Sequence, residues 1–221
     1  MLKKYKAILF DMDGVITDTM PYHFEAWHRV FTSMGIQLDK LEIYKREGEQ
    51  GLVSITQLAD KYGLQLSLEE KEELLREKEK IFNKIALPTI FPGISQFIRS
   101  LKDQGYLLGL VTGTSRKELE HILPKSIYNF FHAVVTGDSV KQGKPAPDPY
   151  CKCMNQLHIR PEEALVIENA PYGIKAAKQA GAFCIAIATS LPAEYLHEAD
   201  IVYDSIAAIS QDWSVQFGID L

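Results

Sequence analysis

Ala7-Ile8-Leu9-Phe10-Asp11-Met12-Asp13-Gly14-Val15 begins as an apolar run and ends in two carboxylates one residue apart. The run reads as a parallel strand buried on both faces, since such strands are near-continuously apolar instead of alternating. Open α/β sheets place their chemistry just beyond the carboxyl ends of strands like this one, so Asp11 and Asp13 fall at the rim of a sheet. Alternation sends the two side chains roughly the same way, and Gly14 lets the backbone turn sharply beside whatever they hold. Two like charges so placed are costly unless a cation neutralises them. A hard divalent cation such as Mg²⁺ suits carboxylate and carbonyl oxygens, and a remaining carboxylate oxygen could then attack a phosphorus. An acidic surface turn would show the same pattern, so the rest of the chain has to decide.

The 221 residues and 46% hydrophobic content allow one large domain or a domain with an insertion around a packed core. A formal net charge of −5, with Lys and Glu interspersed, argues against nucleic acid as the main partner. Cys151, Cys153 and Cys184 are too few and too oddly numbered for a disulfide framework, which favours a reducing compartment, most simply the cytoplasm. Met1-Leu2-Lys3-Lys4 superficially resembles the start of a signal peptide, but the apolar run behind it is short and broken by Asp11. No stretch is long enough to span a membrane, and neither repeats nor low-complexity tracts occur.

Pro21 can start a helix in which Phe24, Trp27, Phe31 and Met34 recur at helical spacing up to Gly35. Leu52, Ile55, Leu58, Ala59 and Tyr62 mark a second helix. Ser67 and Glu70 form a capping box for a third, whose Lys71–Lys80 charge run reads as a solvated face with Glu72 and Arg76 at pairing distance. From Leu87 the pattern changes to strands alternating with helices, the mark of a doubly wound parallel sheet. Strands are expected at Tyr106–Val111, Ala133–Val135, Ala164–Ile167, Phe183–Ala188 and Ile201–Tyr203. Helices follow Pro92-Gly93, the Ser115/Glu118 capping box, Asp148-Pro149 and Pro171. About seventy helical residues separate the first strand from its sisters, too many for a plain loop. The economical arrangement is an α/β Rossmann-like core, residues 1–17 and 87–221, with an inserted α-helical cap, residues 18–86. Such a cap can open for substrate and close to exclude water.

Four segments then fall at strand ends or nearby loops: Asp11-Met12-Asp13-Gly14, Thr112-Gly113-Thr114-Ser115, Lys144-Pro145 and Glu168-Asn169-Ala170-Pro171. A metaphosphate-like transition state spreads charge over three oxygens, so a protein mainly has to position and neutralise it. Thr112 offers a hydroxyl, the amides of Gly113 and Thr114 lie near a helix start, and Lys144 offers an ammonium. Glu168 and Asn169 offer further oxygen ligands for the cation.

This combination, in this order, resembles the haloacid dehalogenase (HAD) superfamily, specifically its β-phosphoglucomutase-like branch with helical caps. The resemblance covers nearly the whole chain. It implies that Asp11 is a nucleophile forming an aspartyl phosphate, and that Asp13 is a general acid and then base that also lends its carbonyl to Mg²⁺. Thr112, Lys144 and the Glu168-Asn169 pair match the second, third and fourth motifs. The implied metal ligands are therefore Asp11, Asp13, Glu168 and Asn169, with Asn169 departing from the usual acidic pair. The stretch Asp18-Thr19-Met20-Pro21-Tyr22-His23 resembles that of the mutases, where the corresponding Thr and His assist the acid–base residue. His23 could equally be packing at a helix start.

Sugar-phosphate mutases of this branch carry a basic cap segment of the type Lys-Gly-x-Ser-Arg for the second phosphate. The matching stretch here is Glu47-Gly48-Glu49-Gln50-Gly51. Glu47 and Glu49 would repel a bisphosphorylated sugar, which disfavours a mutase. Glu47 could reach the closed cleft and share the Mg²⁺, leaving room for a small substrate, as in pyrophosphatase-type and small-phosphatase members, or it could equally be an ordinary solvated loop residue. The expected activity is a Mg²⁺-dependent phosphohydrolase acting on a small phosphorylated metabolite or pyrophosphate. A β-phosphoglucomutase-type mutase is the first alternative. A phospho-acceptor signalling module is more distant, since its acidic residues are usually an adjacent pair and the helical insertion has no purpose there. Cys151 and Cys153 point to different helix faces, so no metal site is expected there, and Cys184 is expected in the core.

Overall fold

The structure is a computed structural model and describes residues 5–87 and 89–217. The Met1–Lys4 stretch and the far ends of the expected core segment lie outside the described residues. Strand β1, Ala7–Phe10, is followed by helices α1 (Met20–Thr32), α2 (Lys40–Lys45), α3 (Gly51–Lys61) and α4 (Leu68–Ile85). Alternation then begins: α5 (Ile94–Asp103), β2 (Leu107–Val111), α6 (Arg116–Ile122), α7 (Lys125–Tyr128), β3 (Ala133–Val135), α8 (Asp148–Gln156), β4 (Ala164–Glu168), α9 (Pro171–Gln179), β5 (Phe183–Ile187), β6 (Ile201–Tyr203) and α10 (Ile206–Phe217).

The six strands pair in the order β3-β2-β1-β4-β5-β6, all parallel. This is the doubly wound order, and β1 lies where it reverses. Phe10 pairs in register with Leu110 on one side and Ile167 on the other, so Asp11, Val111 and Glu168 leave the sheet at one level. Ile8 and Phe10 face one apolar layer with Phe97, Leu110, Ile167 and Trp213. Ala7 and Leu9 face the other, with Tyr150, Cys153, Val166 and Ile174. The continuous apolar run is thus explained: both faces of the central strand are dry.

The helices between β1 and β2 in sequence bury their own stripe, Trp27, Val30, Phe31, Leu38, Ile43, Ile55 and Leu58. The two chain segments linking them to the sheet are tied together. Asp18 N donates to Thr89 O (2.9 Å), Phe91 N donates to Ile16 O (3.0 Å), and Thr17 and Ile90 form an antiparallel bridge.

The first helix runs to Thr32 and closes on Gly35 as expected: Met34 and Gly35 amides bond the Phe31 and Thr32 carbonyls in a tightened last turn, and Gly35 is left-handed with φ +79°. Other local expectations need adjusting. Helix α2, capped by Asp39 onto the Glu42 amide (3.0 Å), is too short to show a period. The Lys71–Lys80 run is not wholly a wet face. Lys78 is 5% exposed and its Nζ donates to Glu118 Oε1 of α6 at 3.1 Å, while lying 4.9 Å from the Phe82 ring centroid. Arg76 does pair with Glu72 (3.9 Å) and Glu73 (2.7 Å) at the surface.

Glu118 also closes the Ser115 capping box, so one carboxylate both starts α6 and receives α4. Burial pushes this carboxyl up, but the Lys78 ammonium and His23 outweigh it and hold it below the ordinary glutamate value. An acid depressed in the native state stabilises the fold above its unfolded pKa and loses that contribution as pH falls through the folded value. On going from about pH 6 to about pH 3, the wild type is therefore expected to lose more unfolding free energy than Glu118→Gln does. Urea melts at the two pH values check this, and equal losses would contradict it.

Candidate active site

Asp11 is the first residue beyond β1, and its backbone is fixed by donation from its N–H to Ile167 O (3.0 Å). Its side chain is buried. Lys144 Nζ contacts Asp11 Oδ1 at 2.5 Å and Glu168 Oε1 at 2.6 Å, and also donates to the Val111 carbonyl at 3.2 Å. Both neighbouring carboxylates hold the lysine charged, against the cost of its burial. Asp11 lies well above the ordinary aspartate range, because burial and the charges of Glu168 and Asp13 outweigh Lys144.

Asp13 sits among hydroxyls. Thr19 Oγ1 donates to Oδ1 (2.5 Å), His23 Nε2 lies 3.2 Å from the same atom, and Thr112 (3.2 Å) and Thr114 (2.9 Å) donate to Oδ2. Burial raises this carboxyl, but His23 and the hydroxyl donors more than reverse it and hold Asp13 well below its ordinary value. His23 both contacts Asp13 and packs: its ring stacks on Phe82 with centroids 4.1 Å apart. The turn after Asp13 needs Gly14. Its φ is +86°, and a Cβ there would fall 2.0 Å from Asn169 Nδ2.

Glu168 ends β4 inside the cluster, yet its oxygens already have donors. Tyr150 Oη donates to Oε1 (2.7 Å) beside Lys144, and the amides of Asn169 (2.9 Å) and Ala170 (3.4 Å) donate to Oε2. Asn169 Nδ2 donates to Glu47 Oε2 (2.7 Å) and to Ser190 Oγ (2.9 Å). Glu47 is 6% exposed, and burial together with Asp11, Asp13 and Glu168 pushes its carboxyl well up. Gly113 lies against Gly48 of the helical insertion. Sequence reasoning missed Thr114 as a partner of Asp13, read Tyr150 only as an inward residue of the helix begun by Asp148-Pro149, and assigned no role to Ser190, Gln50 or the Lys78–Glu118 pair. A buried tyrosine six residues after Lys144 was its only legible hint.

Among the described residues no three His, Cys, Asp or Glu side chains form a ready-made metal cage. A mixed oxygen set does fit a hard cation: Asp11 Oδ2, Glu47 Oε1 and Asn169 Oδ1 are each buried without a hydrogen-bond partner. Beside the cluster a cavity of about 450 Å³ opens, lined by Asp13, His23, Arg46, Glu47, Lys78, Thr114 and Glu118 among others. It has the size of a small-ligand site.

A doubly wound parallel sheet with an aspartate pair at its switch point, a buried lysine and a helical insertion over the strand ends defines a haloacid dehalogenase-like hydrolase. The family model of that description matches residues 8–187, and the chain belongs to this family. The phosphorylated carbohydrates phosphatase of Thermotoga maritima is 33% identical over 184 residues, spanning 80% of this chain and 82% of that protein. The beta-phosphoglucomutase of Bacillus subtilis is 30% identical over 197 residues, spanning 85% of each. The crystal structure of beta-phosphoglucomutase from Clostridium difficile superposes with a TM-score of 0.82 at 25% identity, covering 97% of this chain and 100% of that one. The chain is thus similar to phosphatases and to a sugar-phosphate mutase of one branch.

Proposed function

We propose that the protein is a Mg²⁺-dependent phosphohydrolase of a small phosphorylated substrate, a phosphomonoester or inorganic pyrophosphate, working through a phospho-aspartyl intermediate on Asp11. The observation that carries this is the asymmetry of Asp11: Lys144 holds Oδ1, while Oδ2 is buried with no donor. In this reading residues 18–86 are a cap over a core of 1–17 and 87–221.

The protein's part is positioning and charge. Asp11, Glu47, Asn169 and the Asp13 carbonyl would hold Mg²⁺, with Glu168 kept behind them by Lys144 and Tyr150 instead of binding directly. When bound, the cation would neutralise phosphoryl oxygens and permit the approach of an anionic nucleophile. Asp11 forms the O–P bond as the leaving oxygen departs, Asp13 supplies that oxygen's proton, and Asp13 then takes a proton from the water that attacks the aspartyl phosphate. The Thr112 and Thr114 hydroxyls now bonded to Asp13 can turn to the phosphoryl oxygens. Losing the Thr114 donor lifts only the smallest of the influences that hold the Asp13 carboxyl down, the largest being His23. His23 and Thr19 hold it in place meanwhile.

Hydrolysis is favoured over mutase chemistry because the cap brings a carboxylate, Glu47, against Asn169 where a mutase brings cations. Pyrophosphate is the substrate most compatible with an acidic cap that shares the metal. Replacing Glu47 with Ala is expected to lower pyrophosphate turnover by on the order of 10²-fold, the scale of one lost electrostatic contact to a reacting group. An unchanged rate removes Glu47 from the site. A panel of pyrophosphate and hexose monophosphates with Mg²⁺, read as repeated phosphate release, tests the whole reading. A single stoichiometric phosphorylation would instead mark a signalling module. The three thiols, all free and two of them buried, support a cytoplasmic location. Among the described residues no helix is long and apolar enough to cross a membrane.

A further inference from the structure

Gln50 stands at the N-cap position of α3 with extended backbone, yet its side chain makes no capping hydrogen bond. The residues favoured there, Ser, Thr, Asp and Asn, would turn an oxygen onto the free amides of the first helical turn. Gln50 points the other way. Its Nε2 donates to the carbonyl oxygens of Gly137 (2.8 Å) and Val140 (3.1 Å), residues that follow β3 on the far side of the cleft. Both protons of that amide nitrogen thus have acceptors.

The flanking residues are seated on the same core loops. Glu49 makes an isolated parallel bridge with Lys144. A Cβ on Gly113 would fall 2.3 Å from the Gly48 carbonyl oxygen, so the two backbones touch without an intervening side chain. Glu47, three residues before Gln50, makes the contact to Asn169. A short segment anchored at both ends holds its carboxylate far more narrowly than one anchored at the carboxylate alone.

We propose that Gln50 is a positioning residue: its carboxamide registers segment 47–50 on the core loops and so delivers Glu47 to Asn169 and the Asp11 cluster. The kinetic part of this rests on the phosphohydrolase reading; the closure part does not. Gln50→Glu keeps the size and removes both donors, and Gln50→Lys restores a donor on a long stem. Neither removes a helix cap, so the midpoint of thermal unfolding stays near the wild-type value in both.

Gln50→Glu is expected to lower kcat/KM about tenfold, mostly in kcat, the fold-change equivalent to two neutral hydrogen bonds. It should also raise the Mg²⁺ concentration for half-maximal rate, and it should enlarge the radius of gyration measured by small-angle X-ray scattering without substrate. Gln50→Lys should recover most of each change. An unchanged kcat/KM or an unchanged radius in Gln50→Glu overturns the assignment. Failure of Gln50→Lys to recover does so as well, since the role would then be packing. A wild-type protein inactive on every phosphate tried defeats the phosphohydrolase reading alone, and the scattering comparison still decides on Gln50.

Discussion

Asp11→Asn is expected to reduce phosphate release by on the order of 10⁴-fold or more, the scale on which losing a covalent nucleophile acts. The amide keeps the shape of the carboxylate and can still accept from Lys144, but it cannot form the acyl phosphate. Stability should move the other way. Burial and the neighbouring Glu168 and Asp13 raise the Asp11 carboxyl well above its ordinary value, so the charged form is disfavoured in the folded protein. A group raised in this way costs stability at neutral pH, and the cost disappears as pH falls and the acid takes up its proton. The neutral variant lacks that cost, so in the absence of Mg²⁺ it should unfold at the same or a higher temperature than the wild type. Calorimetry and a phosphate-release assay on the same preparation check both halves. Activity persisting in the variant would remove Asp11 as nucleophile, and a marked loss of stability would show that its charge is structural.

Lys144→Met is expected to be the most destabilising single change in the site. Lys144 is buried between two carboxylates, with Nζ 2.5 Å from Asp11 and 2.6 Å from Glu168. Removing one partner of a buried ion pair costs about 3–5 kcal/mol, because the other charge is left uncompensated. Here two charges are left, with Glu47 and Asp13 adding to the same field. The thioether fills most of the stem's volume, so the loss reads mainly as electrostatics. Urea unfolding should show it, and added Mg²⁺ should narrow the deficit by neutralising the unpaired carboxylates. A variant as stable as the wild type without Mg²⁺ would mean that the carboxylates are already protonated there.

The two expectations share one cause. Asp11, Asp13, Glu47 and Glu168 are all buried in one cluster, with Lys144 as the buried ammonium among them. Natural folds tolerate such an excess where activity needs it, at a cost in stability. The orphaned oxygens of Asp11, Glu47 and Asn169 are the visible remainder of that imbalance.

The fold was legible where patterns are local. The unbroken apolar run at β1, the capping boxes at Ser67 and Ser115, and the alternation after Leu87 each reflect a short-range rule of backbone geometry or burial, and each forms as read. Asp11, Asp13, Thr112 and Glu168 could be placed from the ends of β1, β2 and β4, whereas Lys144, in the loop between β3 and α8, was singled out by the family resemblance. What could not be read is every contact made across the cleft. Lys78 looks like one more charge on a solvated helix until α4 is laid against α6. Gln50 looks like a poor helix cap until Gly137 and Val140 are brought opposite it. Glu168 looks like a free ligand until Tyr150 and two amides take its lone pairs.

The chain alone therefore determined the sheet, the helical insertion and the chemical inventory at the strand ends, since periodicity, caps and turns are set by neighbours in sequence. Tertiary structure decided which oxygens stay unpaired and how the insertion seats on the core. Those depend on partners dozens of residues away, and their desolvation exists only once both sides have met.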